Sequence, residues 1–142
     1  MVSSNVSYRY ISVIQAAFIL HRKSNIIFHQ PISSARFTPA AELIAGFLSA
    51  LAAFTDEIRA GNLEYAVLDN VKFVYKMGKY DLLYVLAIDR NDSVDEASDK
   101  LRHVRRVFEE KYAAVLRHAL ENNADFSGFG KNLETILNIK KT

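Results

Sequence analysis

The sequence predicts an α/β (α+β) fold, a three-layer α/β/α sandwich built on a five-stranded antiparallel sheet. Five short runs rich in β-branched and aromatic residues, each bounded by turn residues, predict the strands. A long, nearly uncharged helical stretch follows the second run, and two amphipathic helical stretches follow the fifth. The topology is then ββαβββαα. The two most hydrophobic strands, the first and the fifth, belong in the middle, giving the order 2-1-5-4-3 with one helix on one face and two on the other.

The first two strands are predicted to form a hairpin. They span residues 11–21 and 25–30, and the polar residues 22–24 turn the chain between them. Pro31 ends the second strand.

A helix is predicted over residues 38–58. Thr38 suits its N-cap, because the hydroxyl can accept a hydrogen bond from a free backbone N–H, and Pro39 suits the first turn. Gly61 follows as a C-terminal stop signal. One face is large and apolar, at spacings of four, four, three and four: Leu43, Phe47, Leu51, Phe54 and Ile58. The opposite face is small and mostly apolar: Ala41, Ala45, Leu48, Ser49 and Ala52.

This helix carries no charge between Leu43 and Phe54. One apolar face can cover the sheet, so the small second face needs a cover of its own. Alanine and serine let two helix backbones approach closely, which favours a helix-to-helix contact with a protein partner. The alternative is that the domain covers the helix itself, for instance by folding back its first ten residues.

Three further strands are predicted over residues 63–68, 71–77 and 80–89. In the middle one, apolar residues alternate with Lys72 and Lys76, which predicts a half-solvated strand. Gly78 is predicted to turn the chain into the last strand. Residues 82–88 form an unbroken apolar run, typical of a central strand covered on both faces.

Ser93 and Glu96 fit a capping box, in which each satisfies a free N–H of the other's turn. They begin a predicted helix of about seven turns. Its apolar stripe comprises Ala97, Leu101, Val104, Phe108, Tyr112, Val115 and Ala119. Residues 122–130 break the pattern, and a final helix over residues 131–139 offers Leu133, Ile136 and Leu137 to the core.

Length and composition indicate a single domain over residues 1–142. A net charge of +2 does not support nucleic-acid binding, which uses a concentrated basic face. The absence of cysteine excludes disulfides and thiolate chemistry and fits a reducing compartment. No segment reaches the ~20 apolar residues that cross a bilayer, so we expect a cytoplasmic protein with at most peripheral membrane contact.

No pattern of catalytic or ligand-binding residues is found in the sequence. The four histidines lack metal-ligand spacing, although His21 and His29 could approach each other across the hairpin. Residues 126–130 do not form a nucleophile elbow, and neither a P-loop nor a dinucleotide fingerprint occurs. We therefore expect no catalytic residue, no cofactor and no metal, and hence a protein that is not an enzyme.

One dense basic cluster stands out, formed by Arg102, His103, Arg105 and Arg106. Its three arginines are predicted to face away from the apolar stripe of their helix. The cluster is either a solvated face partly neutralised by Glu109 and Glu110, or a contact for an acidic partner or anionic lipid headgroups.

The chain resembles a longin domain, of the longin/roadblock superfamily, over about residues 10–139. The resemblance depends on the hairpin at residues 17–28, the apolar helix, and the block of two strands around a glycine turn at residues 71–89. It implies a non-enzymatic domain that dimerises with itself or with another longin or roadblock protein. Paired longin domains form a platform for a small GTPase, as in vesicle-trafficking complexes. A free-standing chain is most similar to the adaptor-like or archaeal GTPase-associated type.

The leading hypothesis is therefore an interaction module that dimerises and serves as a scaffold or regulator for a small GTPase. Its partner interface is the small face of the first helix (Ala41, Ala45, Leu48, Ser49 and Ala52), aided by the predicted edge strand at residues 63–68. The alternative is a PAS-like or profilin-like domain that binds a small molecule or actin. A PAS-like domain would need a cavity between sheet and helix, where Phe47, Phe54 and Phe73 are expected to lie instead.

Overall fold

The computed structural model describes residues 14–21, 25–32, 46–47, 50, 53, 55–61, 64–68, 71–117 and 125–137. The strands are β1 (Ile14–His21), β2 (Asn25–Pro31), β3 (Tyr65–Leu68), β4 (Val71–Met77) and β5 (Leu82–Asp89). The helices are α1 (Thr55–Arg59), α2 (Val94–Lys111), α3 (Ala113–Arg117) and α4 (Phe129–Leu137).

The five strands form one antiparallel sheet in the order β2-β1-β5-β4-β3. This confirms the predicted fold class and strand order. β1 and β5 occupy the interior of the sheet, and seven of the eight residues in each strand are buried. A strand covered on both faces cannot show hydrophobic alternation, which is why these two strands are continuous apolar runs.

Two hydrophobic clusters lie on opposite faces of the sheet. One joins alternate sheet residues to α2, α3 and α4, with Leu101, Phe108 and Leu133 almost fully buried. The other contains Ile58 of α1, with Phe47 packed against it. Among the described residues, the sheet is therefore the middle of three layers.

The helix predicted over residues 38–58 falls largely outside the described residues. Within them, Ala53 N donates to Ala50 O at 3.1 Å, an i→i−3 bond that departs from regular α-helix. A short helix, α1, spans Thr55–Arg59 and so ends one residue beyond the predicted end of the helix. Gly61 has φ +83° and its N–H donates to Ile58 O, so the predicted glycine stop is confirmed.

The prediction that β4 is half-solvated is wrong in the middle of the strand. Phe73, Val74 and Tyr75 are all buried, because Val74 faces the α2 layer while its two neighbours face the α1 layer. Only Lys72 and Lys76, nearer the two ends, are partly exposed on the alternating face. Val74 lies between the two lysines on the same face of the strand, so the middle of that face is apolar.

The predicted start of the last strand at residue 80 is also corrected. Tyr80 and Asp81 have φ values of 60° and 59°, and Leu82 N donates to Lys79 O at 3.1 Å. These two residues are therefore the centre of a tight turn with positive φ at both positions, and β5 begins at Leu82.

The long helix predicted to reach Ala119 is interrupted. Tyr112 ends α2 with φ −111° and ψ 20°, and α3 begins at the next residue. The last helix starts at Phe129, two residues before the predicted start, and Leu133 and Leu137 are buried as expected. Both corrections come from one aromatic cluster, in which the ring centroids of Tyr112 and Phe126 are 4.9 Å apart and those of Phe108 and Phe129 are 5.0 Å apart.

Candidate functional site

A concave surface lies where the β4–β5 turn meets the middle of α2. We call it the basic groove; it has a volume of about 570 Å³ and is lined by Met77, Gly78, Lys79, Arg102, His103, Arg105, Arg106 and Glu109. Four of these side chains are cations and one is a carboxylate. The basic cluster predicted from the sequence therefore forms one wall of a groove whose other wall is the turn.

The turn is shaped to approach the helix closely. Gly78 N donates to Leu82 O at 2.9 Å, which closes the end of the hairpin and leaves Lys79 at its corner. A Cβ on Gly78 would lie 2.5 Å from Tyr84 Cε1 and would overlap a carboxylate oxygen of Glu109. Glycine is required here for space, whereas the positive φ angles fall on Tyr80 and Asp81.

Glu109 joins the turn to the helix. Its Oε2 accepts hydrogen bonds from Lys79 N and from Tyr84 OH, each at 2.9 Å. Burial raises the pKa of Tyr84 well above its ordinary value, and the nearby Glu109 carboxylate raises it further. Tyr84 therefore stays protonated and donates, while Glu109 remains an acceptor that holds the turn against α2.

The three predicted arginines all line this groove, but they differ in exposure and in the partners of their side chains. Arg105 is partly buried, and its Nη1 donates to Met77 O at 3.0 Å. Arg102 forms an exposed ion pair with Asp99 at 2.6 Å. Arg106 is exposed, as is His103. The expectation that all three arginines face away from the core is corrected for Arg105, because the end of β4 comes within its reach.

Two lysines of the same region, Lys76 and Lys79, do not belong to the basic cluster predicted from the sequence. Lys79 lines the groove, and Lys76 lies close enough to Arg102 and Arg105 for their charges to act on it. Burial lowers the pKa of Lys76 most, the two arginines lower it further, and Glu64 and Asp99 partly oppose them. The lysines flank Gly78 in the sequence, but only the packing of α2 across the turn brings them near the arginines.

The outer edge of β3 is a second exposed surface. Tyr65 and Val67 are 46% and 45% exposed. Tyr75 N donates to Glu64 O, so alternate residues of β3 bond inward to β4, and the backbone groups of Tyr65 and Val67 point outward. Within the described part of the chain no strand pairs with this edge.

The partner interface predicted on the first helix, at Ala41, Ala45, Leu48, Ser49 and Ala52, lies outside the described residues. Of the large face, Phe47 packs on Phe73 with ring centroids 4.6 Å apart. These two rings occupy space between helix and sheet, where a PAS-like cavity would be expected.

The two hairpin histidines are not brought together. His29 pairs with Phe18 and stacks on its ring at 4.6 Å, whereas His21 pairs with Asn25 at the other end of the hairpin. Among the described residues there is no group of three or more histidine, cysteine or acidic side chains placed to hold a metal ion. Nor is any described helix both long enough and apolar enough to span a membrane.

Neither the family models nor the curated proteins compared with this chain match it. Its fold is similar to that of a chain in the structure of the mammalian SRP receptor, with a TM-score of 0.59 and 13% sequence identity. The similarity covers 89% of this chain and 94% of that chain. At this identity the likeness concerns the fold.

Proposed function

We propose that this protein is a longin-type interaction module, not an enzyme, that pairs with a second longin or roadblock domain and serves a small GTPase as a scaffold or regulator. The observation that carries the proposal is the layered sheet, in the order β2-β1-β5-β4-β3, together with a fold similarity to a chain of the mammalian SRP receptor that covers 89% of this chain. The longin resemblance of the hairpin and of the central strand block supports the same family.

The edge of β3 supports pairing. An edge strand with outward backbone groups and exposed Tyr65 and Val67 suits the addition of a strand from another chain. Lys72 lies beside it, with Nζ 5.5 Å from the Tyr65 ring centroid and donating to Asp92 O. The Lys72 ammonium therefore lies beside Tyr65, whereas Val67 offers an exposed apolar side chain on the same strand as Tyr65.

Light scattering at high micromolar concentration tests the pairing. We expect the mass of a dimer for the wild type and the mass of a monomer for Val67→Glu. Val115→Glu is the matched control, because Val115 is also exposed, at 38%, but lies on α3. Ala45→Glu combined with Leu48→Glu tests the contribution of the first helix. A wild-type protein that stays monomeric, both alone and mixed with candidate longin partners, contradicts the proposal.

The GTPase is tested by capture with purified small GTPases from the source cell, loaded with GDP, loaded with a GTP analogue, or empty. Retention that depends on the nucleotide state is expected, and preference for the empty form would indicate an exchange factor. Equal retention of all three forms would indicate passive binding. No retention of any small GTPase contradicts this part of the proposal.

A further inference from the structure

The basic groove lies on the β4–β5 turn and α2, away from the β3 edge on which pairing is proposed. We propose that it binds the phosphoryl group of a phosphate monoester. The inference does not rest on pairing, since it concerns side chains of the β4–β5 turn and α2 and not the outer edge of β3.

The charge of the groove matches such a ligand. Its cations are Lys79, Arg102, Arg105 and Arg106, and the opposing carboxylates are Glu109 and Asp99, which leaves a net charge of +2 with His103 neutral. A phosphate monoester carries about −1.5 to −2 at pH 7. Asp99 is paired with Arg102, so Arg105, Arg106 and Lys79 provide most of the available positive charge.

The arrangement of these cations favours phosphate over carboxylate. Lys79 lines the groove on the side of the turn, and Arg105 and Arg106 line it on the side of the helix. A phosphoryl group presents three acceptor oxygens in different directions, whereas a carboxylate presents two in one plane. Cations on two walls can therefore meet a phosphoryl group together, and arginine adds a fork that can bind two of its oxygens.

The groove is also partly organised in advance. Arg105 is held by Met77 O, and Glu109 is held by Lys79 N and Tyr84 OH, so the two walls are fixed to each other. Arg106 is exposed and is not part of the Arg102–Asp99 ion pair.

Nuclear magnetic resonance can test the site at constant ionic strength, which separates binding from general screening. Inorganic phosphate, glycerol phosphate and acetate are added in parallel to the full chain. We expect both phosphates to shift the amide signals of residues 77–79 and 102–109, and acetate to do so much less. Arg106→Gln is expected to weaken glycerol phosphate binding about tenfold, as for loss of a charge-assisted hydrogen bond.

Arg117→Gln is the matched control, because Arg117 is an exposed cation on α3 outside the groove. It should leave glycerol phosphate binding unchanged. Equal responses to acetate and phosphate, signal shifts spread over the whole surface, or equal effects of the two substitutions would each overturn the proposal.

Co-sedimentation with phosphatidylcholine vesicles distinguishes the two sources of a phosphate monoester. One set of vesicles contains phosphatidic acid, which is a monoester, and the other contains phosphatidylglycerol, which is a diester. Binding to phosphatidic acid vesicles that Arg106→Gln weakens assigns a lipid headgroup, and binding of glycerol phosphate without vesicle binding assigns a soluble ligand. Equal binding to both vesicle types, with no response to soluble phosphate, would indicate nonspecific electrostatic attraction to anionic membranes and would overturn the proposal of a phosphate site.

Discussion

The hydroxyl groups of two buried tyrosines, Tyr84 and Tyr75, differ in their hydrogen bonding. Tyr84 OH donates to Glu109 at 2.9 Å on the α2 side of the sheet. Tyr75 lies on the other side, is 3% exposed, and its hydroxyl has no hydrogen-bond partner within the described structure. Burial raises the pKa of Tyr75 to about 12, so both groups stay protonated, but among the described residues only the Tyr84 hydroxyl has a hydrogen-bond partner.

Replacing each tyrosine by phenylalanine should give opposite results. Tyr84→Phe removes a buried donor and leaves Glu109 with one fewer hydrogen bond, so the free energy of unfolding should fall by about 1 kcal/mol. Tyr75→Phe removes an unpaired polar atom and should leave it unchanged or raise it by up to ~1 kcal/mol. Urea denaturation measures both. Equal losses would show that the Tyr75 hydroxyl has a partner.

His29 is a second residue whose surroundings have a measurable consequence. Its ring is stacked on Phe18, and burial lowers its pKa from the ordinary value of 6.5. The unfolded chain therefore takes up a proton at His29 at a higher pH than the folded chain does. The free energy of unfolding is therefore not reduced by His29 while the ring is neutral in both states. It decreases as the pH falls below 6.5 towards the folded-state pKa, because the unfolded chain takes up the proton first.

We expect urea midpoints measured from about pH 7.5 down to about pH 5.5 to fall more steeply for the wild type than for His29→Gln. The other histidines are present in both proteins and cancel in the comparison. Identical slopes would contradict the effect of burial on His29.

At the scale of elements, the start of α2 is determined by a local signal. Ser93 has extended backbone angles, and its Oγ accepts a hydrogen bond from Glu96 N at 3.2 Å. This is the serine half of the predicted capping box. Ser93 thus places the first turn of the helix that forms one wall of the basic groove.

Ser93→Ala should lower the free energy of unfolding by about 1 kcal/mol, because the N–H of Glu96 loses its acceptor at the helix start. Ser93→Asp keeps an acceptor and should retain most of the stability. Thermal unfolding followed by circular dichroism compares the three proteins. If the aspartate variant is as unstable as the alanine variant, the cap does not act through this hydrogen bond.

The elements that could be predicted are those whose signals are local. The apolar run of β5, the glycine after α1 and the cap of α2 each follow from residues adjacent in sequence. The interruption at Tyr112 could not be predicted in this way. It depends on Phe126 and Phe129, which lie further along the chain and pack against the end of α2, so the helical spacing of the sequence continues where the helix does not.

The residues of the basic groove also differ in whether they could be predicted from local sequence. Arg102, Arg105 and Arg106 are visible in the sequence as a cluster, because they lie within five residues of one helix. Lys79 and the role of Glu109 depend on a contact between a turn and a helix 30 residues apart. Residue spacing carries no information about that contact, so the concave site emerges only from the packed structure.

At the scale of the whole molecule, the sheet is covered on both faces, and among the described residues no strand pairs with the outer edge of β3. The two hydrophobic clusters use the faces, and the outward backbone groups of Tyr65 and Val67 lie at the open edge. A second copy, or a related domain, can satisfy those groups by adding a strand. Pairing at this edge leaves the basic groove available, because the groove is formed by the β4–β5 turn and α2.

Amide hydrogen exchange at residues 65–68, compared between dilute and concentrated protein, tests this claim most directly. Pairing through β3 predicts that exchange slows with concentration at Tyr65 and Val67, whose N–H groups point outward, while Ala66 and Leu68 are already bonded to β4. The result that would contradict this account is unchanged exchange at Tyr65 and Val67 at a concentration where light scattering shows a dimer. Unchanged exchange in a complex with another longin domain would contradict it equally, because the β3 edge would then not be the pairing surface.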